Sequence, residues 1–456
     1  MSWEWIICRF IWMTCSSGMN NSCCMALIKK YLFVFVMMIL VFPAVQEDLK
    51  VIISKPLSGL FSVVARPEFT SQGWFRQEYQ EQYRQHTEDF PGFKSDLVRF
   101  FNQVDYSLFS IAHASKVVIG KKGYPFGTEY IRSYQGKNFV GTRYCNEKVR
   151  LLKIVQDRLW TEKRIFLLVV FAPDKATFFP EYIPTRFRNT EAVNTNYSWY
   201  KNRCLEAGVN MIDFNGFFRS AKDTSRYPLY PKTGIHWSNY GAVKAADSLA
   251  RYLTAKTPFR VPRMVVDKIE VRNKAGEDDT DIEMAMNLIW KIPHPDYAYP
   301  QYHFASDTAQ KKPACLFIGD SFYWNWYYPG IIGNMFSNVD FWYYGKDIYP
   351  QTFTKPVNIG ELNFMNEVGR QNIIVFLQTN GGYGNLGFDF IDRMYAETDP
   401  AHSRLLYYEK QIRGSQSWME DMKKNAGEQH LLLDEQIREA ALYMVNQELL
   451  DKKHQN

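Results

Sequence analysis

Two kinds of hydrophobic pattern alternate through the middle of the chain. Residues Arg164 to Phe171 form an almost unbroken apolar run, which is typical of a strand covered on both faces. Leu151 to Trp160 and Asn196 to Ala207 instead carry apolar residues at helical spacing. Because strands and helices alternate, the pattern predicts an α/β fold with a parallel sheet between two layers of helices.

The same criteria predict the remaining strands and the flanking segments. Further strands are predicted at Val209–Phe214, Ala314–Ile318, Val339–Tyr344 and Asn372–Leu377. Lys116 to Ile119 and Tyr124 to Phe126, separated by a turn at Gly123, predict a β-hairpin that leads into the sheet. Residues 47–112 predict short helices and loops, and residues 416–456 predict a polar helical segment.

The N-terminal 46 residues differ from the rest of the chain. Lys29 and Lys30 precede fifteen uncharged residues, Tyr31 to Val45, which resemble the basic and apolar regions of a secretory signal. Fifteen residues are fewer than the roughly 20 that span a bilayer. Residues 1–46 are therefore interpreted as an extension followed by a signal peptide or a short membrane anchor, and Met25 as the true start.

Composition and net charge limit the class of protein to which this chain can belong. The chain is 46% hydrophobic and 22% charged, which suits a globular protein with a large core. Its net charge of +6 comes without the clustered basic residues of a nucleic-acid-binding protein, so no nucleic-acid partner is expected. Beyond the N-terminal segment only Cys145, Cys204 and Cys315 remain. Three cysteines make no disulfide framework but leave room for one Cys145–Cys204 bridge.

Candidate chemistry begins at Ser321. Gly319, Asp320 and Ser321 directly follow a predicted buried strand, and in α/β sheets ligands bind in the crevice at the carboxyl ends of strands. Gly319 also lacks the Cβ that would crowd an acyl group. The same tripeptide forms ordinary turns and helix N-caps, so a nucleophilic Ser321 requires a base elsewhere in the chain.

His236 is the best candidate for that base. It lies in a loop marked by Pro231 and Gly234, just before a helical pattern for which Ser238 is the predicted N-cap. A loop held by a rigid scaffold is where catalytic residues are often presented. The alternative is a histidine that only packs or caps the loop.

Taken in order, these motifs resemble the SGNH hydrolase superfamily. The Gly-Asp-Ser strand end and the His-Trp loop are joined by Phe171–Lys175, Pro180–Pro184 and Val118–Tyr124, and together they are most similar to the alginate O-acetyltransferase-like branch. The resemblance spans roughly 111–390. It implies an SGNH hydrolase-like domain at 113–415 with an insertion at 257–312.

The resemblance also implies a particular strand order. In the usual SGNH arrangement the Ser strand comes first, whereas here His236 precedes Ser321, as in the acetyltransferase branch. The strands at 314–318, 339–344, 372–377, 164–171 and 209–214 would then be the first to the fifth of the usual sheet. The motif order is therefore predicted to be circularly permuted.

The family's site residues can be placed on this chain with one gap. The match implies an oxyanion hole formed by Asn380 and Gly345, and it makes Lys175, Trp237 and Tyr323 candidate substrate contacts. A carboxylate usually stands two or three residues before the histidine, but those positions are Gly234 and Thr233. Asp213 or Asp223 could replace it. The remaining alternatives are a backbone carbonyl, a Ser–His dyad or loss of activity.

The insertion carries an acidic run, Glu277 to Glu283. It lacks the spacing of a calcium loop and is interpreted as the acidic first turn of a helix. No metal and no cofactor are expected.

The secretory pattern predicts export, and the resemblance implies an enzyme of the envelope or periplasm that transfers an O-acyl group, expected to be acetyl, to a polysaccharide. A carbohydrate O-acetyl esterase and an inactive polysaccharide-binding or scaffold subunit are the alternatives. The expected partners are the polysaccharide, the membrane through the N-terminal segment, and a membrane-bound acyltransferase.

Overall fold

The computed structural model describes residues 21–49, 53–59, 66–89, 94–187, 192–305, 311–349, 356–397, 399–429 and 431–455. The predicted N-terminal extension at 1–20 lies outside this range. The chain divides into two compact units, residues 1–109 with 287–290 and residues 110–286 with 291–456.

The N-terminal unit is helical. Its helices are α1 (Asn21–Leu49), α2 (Ser71–Phe75), α3 (Glu78–Asp89) and α4 (Lys94–Phe109). Within the described ranges, no helix combines the length and apolarity needed to cross a membrane. Asn287 belongs to this unit because its side chain accepts from the Ser58 amide at 2.7 Å and donates to the Ser58 carbonyl at 3.0 Å.

The larger unit is an α/β domain around a seven-stranded sheet. Its strands are β1 (Val117–Ile119), β2 (Pro125–Gly127), β3 (Phe166–Phe171), β4 (Met211–Asp213), β5 (Met264–Arg272), β6 (Tyr297–Phe304), β7 (Ala314–Gly319), β8 (Asn338–Tyr343), β9 (Asp347–Tyr349), β10 (Val357–Asn358) and β11 (Ile373–Gln378). The sheet order is β10-β9-β8-β7-β11-β3-β4. The five strands from β8 to β4 are parallel, whereas β9 and β10 run antiparallel at one edge.

Helices cover both faces of this sheet, and further helices lie in the insertion and after the last strand. In chain order they are α5 (Thr128–Tyr134), α6 (Thr142–Lys163), α7 (Lys175–Phe178), α8 (Asn196–Glu206), α9 (Phe214–Ala221), α10 (Asn239–Lys256), α11 (Asp281–Met286), α12 (Trp324–Tyr327), α13 (Ile331–Met335), α14 (Phe364–Gly369), α15 (Phe390–Ala396), α16 (Pro400–Gly414), α17 (Gln416–Glu428) and α18 (Leu433–Gln455).

β3 shows why the sheet must be covered twice. All six of its side chains are buried, and alternate residues enter different cores: Phe166, Leu168 and Val170 on one face, and Leu167, Val169 and Phe171 on the other. Burial of each such side chain stabilises the fold by about 1.5–3 kcal/mol. The predicted three-layer α/β fold is confirmed, and each of the five predicted strands lies in the parallel part of the sheet. Circular permutation stays a prediction.

The segments around the sheet follow the expected pattern in outline. β1 and β2 form the predicted antiparallel hairpin. The predicted insertion contains a second hairpin, β5 paired with β6, whose connection carries a 3₁₀ turn at Glu277–Asp279 and then α11. The acidic run thus does open a helix. The domain boundaries drawn from the sequence stay predictions.

Candidate active site

Ser321 stands at the carboxyl end of the central strand β7. The Asp320 side chain caps the 3₁₀ turn Ser321–Tyr323 by accepting the Phe322 amide at 3.1 Å. Its other oxygen accepts both the backbone amide and the hydroxyl of Thr379, each at 2.8 Å. Asp320 therefore ties the end of β7 to the end of β11, which holds the half-buried Ser321 at the sheet edge.

The structure gives Gly319 a packing role in addition to the predicted one. A Cβ at this position would lie 2.3 Å from the Leu377 carbonyl oxygen of the neighbouring strand β11. The glycine therefore permits close approach of two backbones, which is a common use of glycine within strands.

The loop carrying His236 is held from several sides. Ser238 caps α10 as predicted, accepting the Gly241 amide at 3.0 Å. The Lys175 ammonium donates to the carbonyls of Lys232 at 2.5 Å and Gly234 at 2.7 Å. The Tyr230 hydroxyl donates to the Ile235 carbonyl. These bonds fix the backbone on both sides of the imidazole before any substrate binds.

Ser321, His236 and Asp281 form a continuous hydrogen-bonded chain. His236 Nε2 lies 2.8 Å from Ser321 Oγ, and His236 Nδ1 lies 2.6 Å from Asp281 Oδ2. Asp281 Oδ1 accepts the amides of Ile235 and Ile282, both at 2.7 Å. With Asp281 ionised, Nδ1 carries the proton and Nε2 is left to accept the serine proton, which is the arrangement of a Ser-His-Asp triad.

The surroundings of His236 favour its protonated form. Burial alone would lower the pKa of the imidazole, but the charge of Asp281 and its hydrogen bond outweigh burial, so the pKa is raised above its usual value. Asp320 adds to the effect. A base whose pKa is raised accepts the serine proton more readily, although it must be neutral to begin with.

The orienting acid predicted from the sequence is corrected by this geometry. Asp213 caps α9 and pairs with Tyr197 and Lys201. No hydrogen bond from Asp213 or Asp223 to His236 occurs among the described residues. Asp281 takes that place. A side chain two residues before the histidine would not fit either, because a Cβ on Gly234 would lie 2.8 Å from Pro231 Cγ.

The two groups assigned to the oxyanion hole, the Asn380 side-chain amide and the Gly345 backbone amide, donate to other acceptors. Asn380 is buried, and its amide nitrogen donates to Asp174 and to the Thr177 hydroxyl, so both of its N–H groups have acceptors. The Gly345 amide donates to the Trp342 carbonyl at 3.3 Å and closes a turn. In this conformation neither group directs a donor at Ser321.

The predicted substrate contacts lie in the core. Lys175, Trp237 and Tyr323 are all almost fully buried. Trp237 packs against Phe322 and Trp326, while Tyr323 stacks on Phe341 with ring centroids 3.9 Å apart. Burial lowers the pKa of Lys175 to about 7, although the charge of Asp281 opposes this shift. These residues support the site without facing the crevice.

Two residues at the site escaped the sequence reasoning. Asp281 belongs to the acidic run that was interpreted only as a helix start. Because 45 residues separate it from His236, the sequence spacing did not indicate that the two side chains form a hydrogen bond. Tyr344 follows β8, has a positive φ of 50°, and its amide donates to the Gly319 carbonyl at 2.9 Å, two residues before Ser321. A polar aromatic residue at the carboxyl end of the strand next to β7 was the available signal.

The cysteines and the possible metal-binding side chains are the other potentially reactive groups of the chain. Cys145, Cys204 and Cys315 are buried free thiols, so the Cys145–Cys204 bridge that the sequence left possible is not formed. Burial raises the pKa of both Cys145 and Cys204 to about 12, which leaves them unreactive at neutral pH. No group of three or more side chains in the described ranges is placed to hold a metal ion.

Comparison with known proteins extends the sequence resemblance. Residues 117–333 match the family described as "SGNH hydrolase-like domain, acetyltransferase AlgX". This match confirms the resemblance to the alginate O-acetyltransferase-like branch of the SGNH hydrolases, and it includes Ser321, His236 and Asp281. No match was found among the curated proteins.

Solved structures of low sequence identity are similar in part. The O-acetyltransferase domain of Pseudomonas putida AlgJ is 16% identical, with 59% of this chain and 92% of that chain covered and a TM-score of 0.41. Pseudomonas aeruginosa AlgX is 14% identical, with 64% and 69% covered and a TM-score of 0.37. Bacillus cereus PatB1 with a sulfonyl adduct is 11% identical, with 60% and 99% covered and a TM-score of 0.40.

Proposed function

We propose that this protein, whose residues 117–333 match an SGNH hydrolase-like acetyltransferase family, transfers an O-acetyl group to a polysaccharide of the cell envelope through an acyl-enzyme on Ser321. The observation that carries the proposal is the Ser321–His236–Asp281 chain, in which both links are at or below 2.8 Å. The alternative of an inactive binding subunit rested on the missing acid, and Asp281 removes that reason.

The proposed reaction has two balanced halves. Ser321 Oγ attacks the carbonyl carbon of the donor ester while His236 Nε2 takes the serine proton, and the same proton then passes to the departing alcohol. An acetyl ester on Ser321 remains. A sugar hydroxyl next gives its proton to His236 and attacks this ester, and Ser321 leaves with the proton restored. Water in place of the sugar would make the enzyme an esterase.

The negative charge of the tetrahedral intermediate needs donors other than those predicted. The Ser321 amide opens a 3₁₀ turn, where the first N–H groups have no acceptor within the helix. The second candidate donor is the hydroxyl of Tyr344, whose backbone amide donates to the Gly319 carbonyl at 2.9 Å beside Ser321. We assign these two groups to the oxyanion. Loss of one such donor costs about 10²- to 10³-fold in kcat, so Tyr344→Phe is expected to lower kcat by that order with the protein still folded.

Ester hydrolysis by the full-length chain tests the mechanism. We expect the wild type to release acetate from an activated aryl acetate, and both Ser321→Ala and His236→Ala to abolish release because nucleophile and base act as one unit. Ser248→Ala, which changes a half-buried serine that bonds to the Lys244 carbonyl of its own helix α10, is the matched control. Equal rates for the wild type and Ser321→Ala at every pH would overturn the proposal.

The acceptor is tested in the same assay. Adding an oligosaccharide should divert acetyl groups from water to sugar hydroxyls, which mass spectrometry of the sugar detects. Acetate release without any acetylated sugar would assign the enzyme to the esterase alternative.

A further inference from the structure

A row of aromatic rings begins beside Ser321 and continues along the neighbouring edge of the sheet. Its members come from three stretches of chain that meet there: α12 with the residue that follows it, the end of β8 with the residue that follows it, and β9. The row, named here the aromatic row, consists of Tyr344, Tyr343, Tyr349, Trp324 and Tyr328.

The rings are close enough to form one surface. Ring centroids are 4.4 Å apart for Tyr344 and Tyr343, 5.7 Å for Tyr343 and Trp324, and 5.6 Å for Trp324 and Tyr328. Tyr349 packs edge-on against Trp324, with ring centroids 5.2 Å apart. Trp324 and Tyr328 are stacked with an interplanar angle of 28°.

The two ends of the row are open to solvent. Tyr344 is 43% exposed and Tyr328 is 72% exposed, while the three rings between them are half-buried. Large aromatic side chains are usually drawn into the core, and contiguous exposed apolar surface marks a binding site. The near end lies next to the Ser321 turn, because the Tyr344 amide donates to the Gly319 carbonyl at 2.9 Å, two residues before Ser321.

We infer that the aromatic row binds the sugar chain that accepts the acetyl group, with successive pyranose rings lying over Tyr344, Trp324 and Tyr328. This inference rests on the proposed function, which requires the occupant to present a hydroxyl at Ser321. A tyrosine or tryptophan offers an apolar face with a polar edge. That combination suits a pyranose, whose C–H groups cover its faces and whose hydroxyls surround its rim.

Binding is separated from reaction by working in the Ser321→Ala background of the full-length chain. Chitopentaose serves as a neutral probe and pentagalacturonate as an anionic probe, each titrated by calorimetry and followed by tryptophan fluorescence. We expect at least one probe to bind saturably and to change the fluorescence, since Trp324 lies within the row.

Substitution at the exposed end tests the row itself. Tyr328→Ala should weaken binding about tenfold, as expected for the loss of one stacked ring. Tyr328→Trp should restore most of the affinity because it keeps an aromatic face. Tyr443→Ala, which removes a 65% exposed tyrosine from α18, is the matched control and should leave affinity unchanged.

Each outcome has a separate meaning. Failure of both sugars to bind, or equal affinities for the Tyr328→Ala and Tyr443→Ala forms, would overturn the aromatic row as a sugar site. If binding depends on Tyr328 while aryl acetate hydrolysis does not depend on Ser321, the aromatic row is supported as a sugar site and the proposed catalysis by Ser321 is wrong. If hydrolysis depends on Ser321 but neither sugar binds, the inference about the row fails alone.

Discussion

At the scale of single residues, Asp281 is the most informative position. Its carboxylate bonds to His236 Nδ1 and to two backbone amides, so its orientation is fixed independently of the histidine. It both selects the imidazole tautomer and stabilises the imidazolium that forms as Ser321 attacks. Replacing it should therefore change the rate and the pH dependence together.

We predict that Asp281→Asn lowers kcat for aryl acetate by up to about 10⁴-fold, because the amide favours the wrong tautomer. The base must be neutral, so wild-type activity should rise with pH through the raised pKa of His236, with a midpoint above about 6.5. Without the charge of Asp281 the midpoint should move to lower pH. A pH–rate profile measures both effects.

The control for this experiment is another Asp–His pair on the same unit. Asp267 pairs with His303 at 2.9 Å on the exposed β5–β6 hairpin, and Asp267→Asn should leave both rate and profile unchanged. A wild-type rate and an unshifted profile in the Asp281→Asn form would show that Asp281 does not act on His236.

At the scale of elements, the contact between α7 and the histidine loop has the greatest effect on the site. Lys175 lies at the start of α7 and is fully buried, and its donors hold two carbonyls of the loop. It does not face the crevice, so it is a positioning residue. Burial lowers its pKa to about 7, against the charge of Asp281 and in the same direction as Lys232.

This depressed pKa predicts how stability changes with pH. In the unfolded chain the pKa of Lys175 is about 10.4. Between pH 7 and 10 the unfolded state therefore binds more protons at this site than the folded state, so the contribution of Lys175 to the free energy of unfolding rises with pH. The largest slope for one proton is about 1.4 kcal/mol per pH unit.

We predict that the contribution of Lys175 to this rise is absent in Lys175→Met. Urea unfolding of variant and wild type from pH 7 to 10 measures it, because the difference between their free energies of unfolding should change with pH. The variant should also lose roughly tenfold in kcat with little change in KM, because the loop is less well positioned. Lys175→Gln, which keeps donor groups, should recover part of kcat. The exposed Lys163→Met is the control, because its difference from the wild type in the free energy of unfolding should not change with pH. If the difference for Lys175→Met changes with pH no more than the difference for Lys163→Met, the prediction is wrong.

At the scale of the whole molecule, the chain combines a helical N-terminal unit with an α/β unit that contains the complete candidate site. Three helices, α16 to α18, follow the sheet and share a small core of their own around Leu405, Ile437 and Ala441. A buried ion pair between Lys148 and Asp392 links α6 to α15. Substrate binding, as proposed, involves only the α/β unit.

Export is the prediction that belongs to this scale. A reporter fused after Asn456 should be active outside the cytoplasm, because the uncharged run beginning at Tyr31 follows two lysines as in a secretory signal. Replacing three residues of that run with aspartate should retain the reporter inside. Reporter activity confined to the cytoplasm with the natural sequence would contradict export.

Local patterns in the sequence were sufficient for much of the fold and for two members of the site. Burial on both faces leaves an unbroken apolar run, so β3, β7 and β11 could be located to within about two residues. Ser321 and His236 were found because each directly follows or precedes a regular element. Their separation of 2.8 Å lies within the approach expected for a nucleophile and its base.

The tertiary structure alone decided which acid serves the histidine and which groups are buried. Asp281 reaches His236 because a hairpin inserted into the domain returns its connection to the active-site loop, and sequence spacing does not encode such a return. Lys175 and Asn380 were predicted to contact the substrate and the oxyanion, but their donors are taken by neighbouring carbonyl and carboxylate oxygens. The identity of a polar residue indicates what it can bond to, and packing determines which partner it meets.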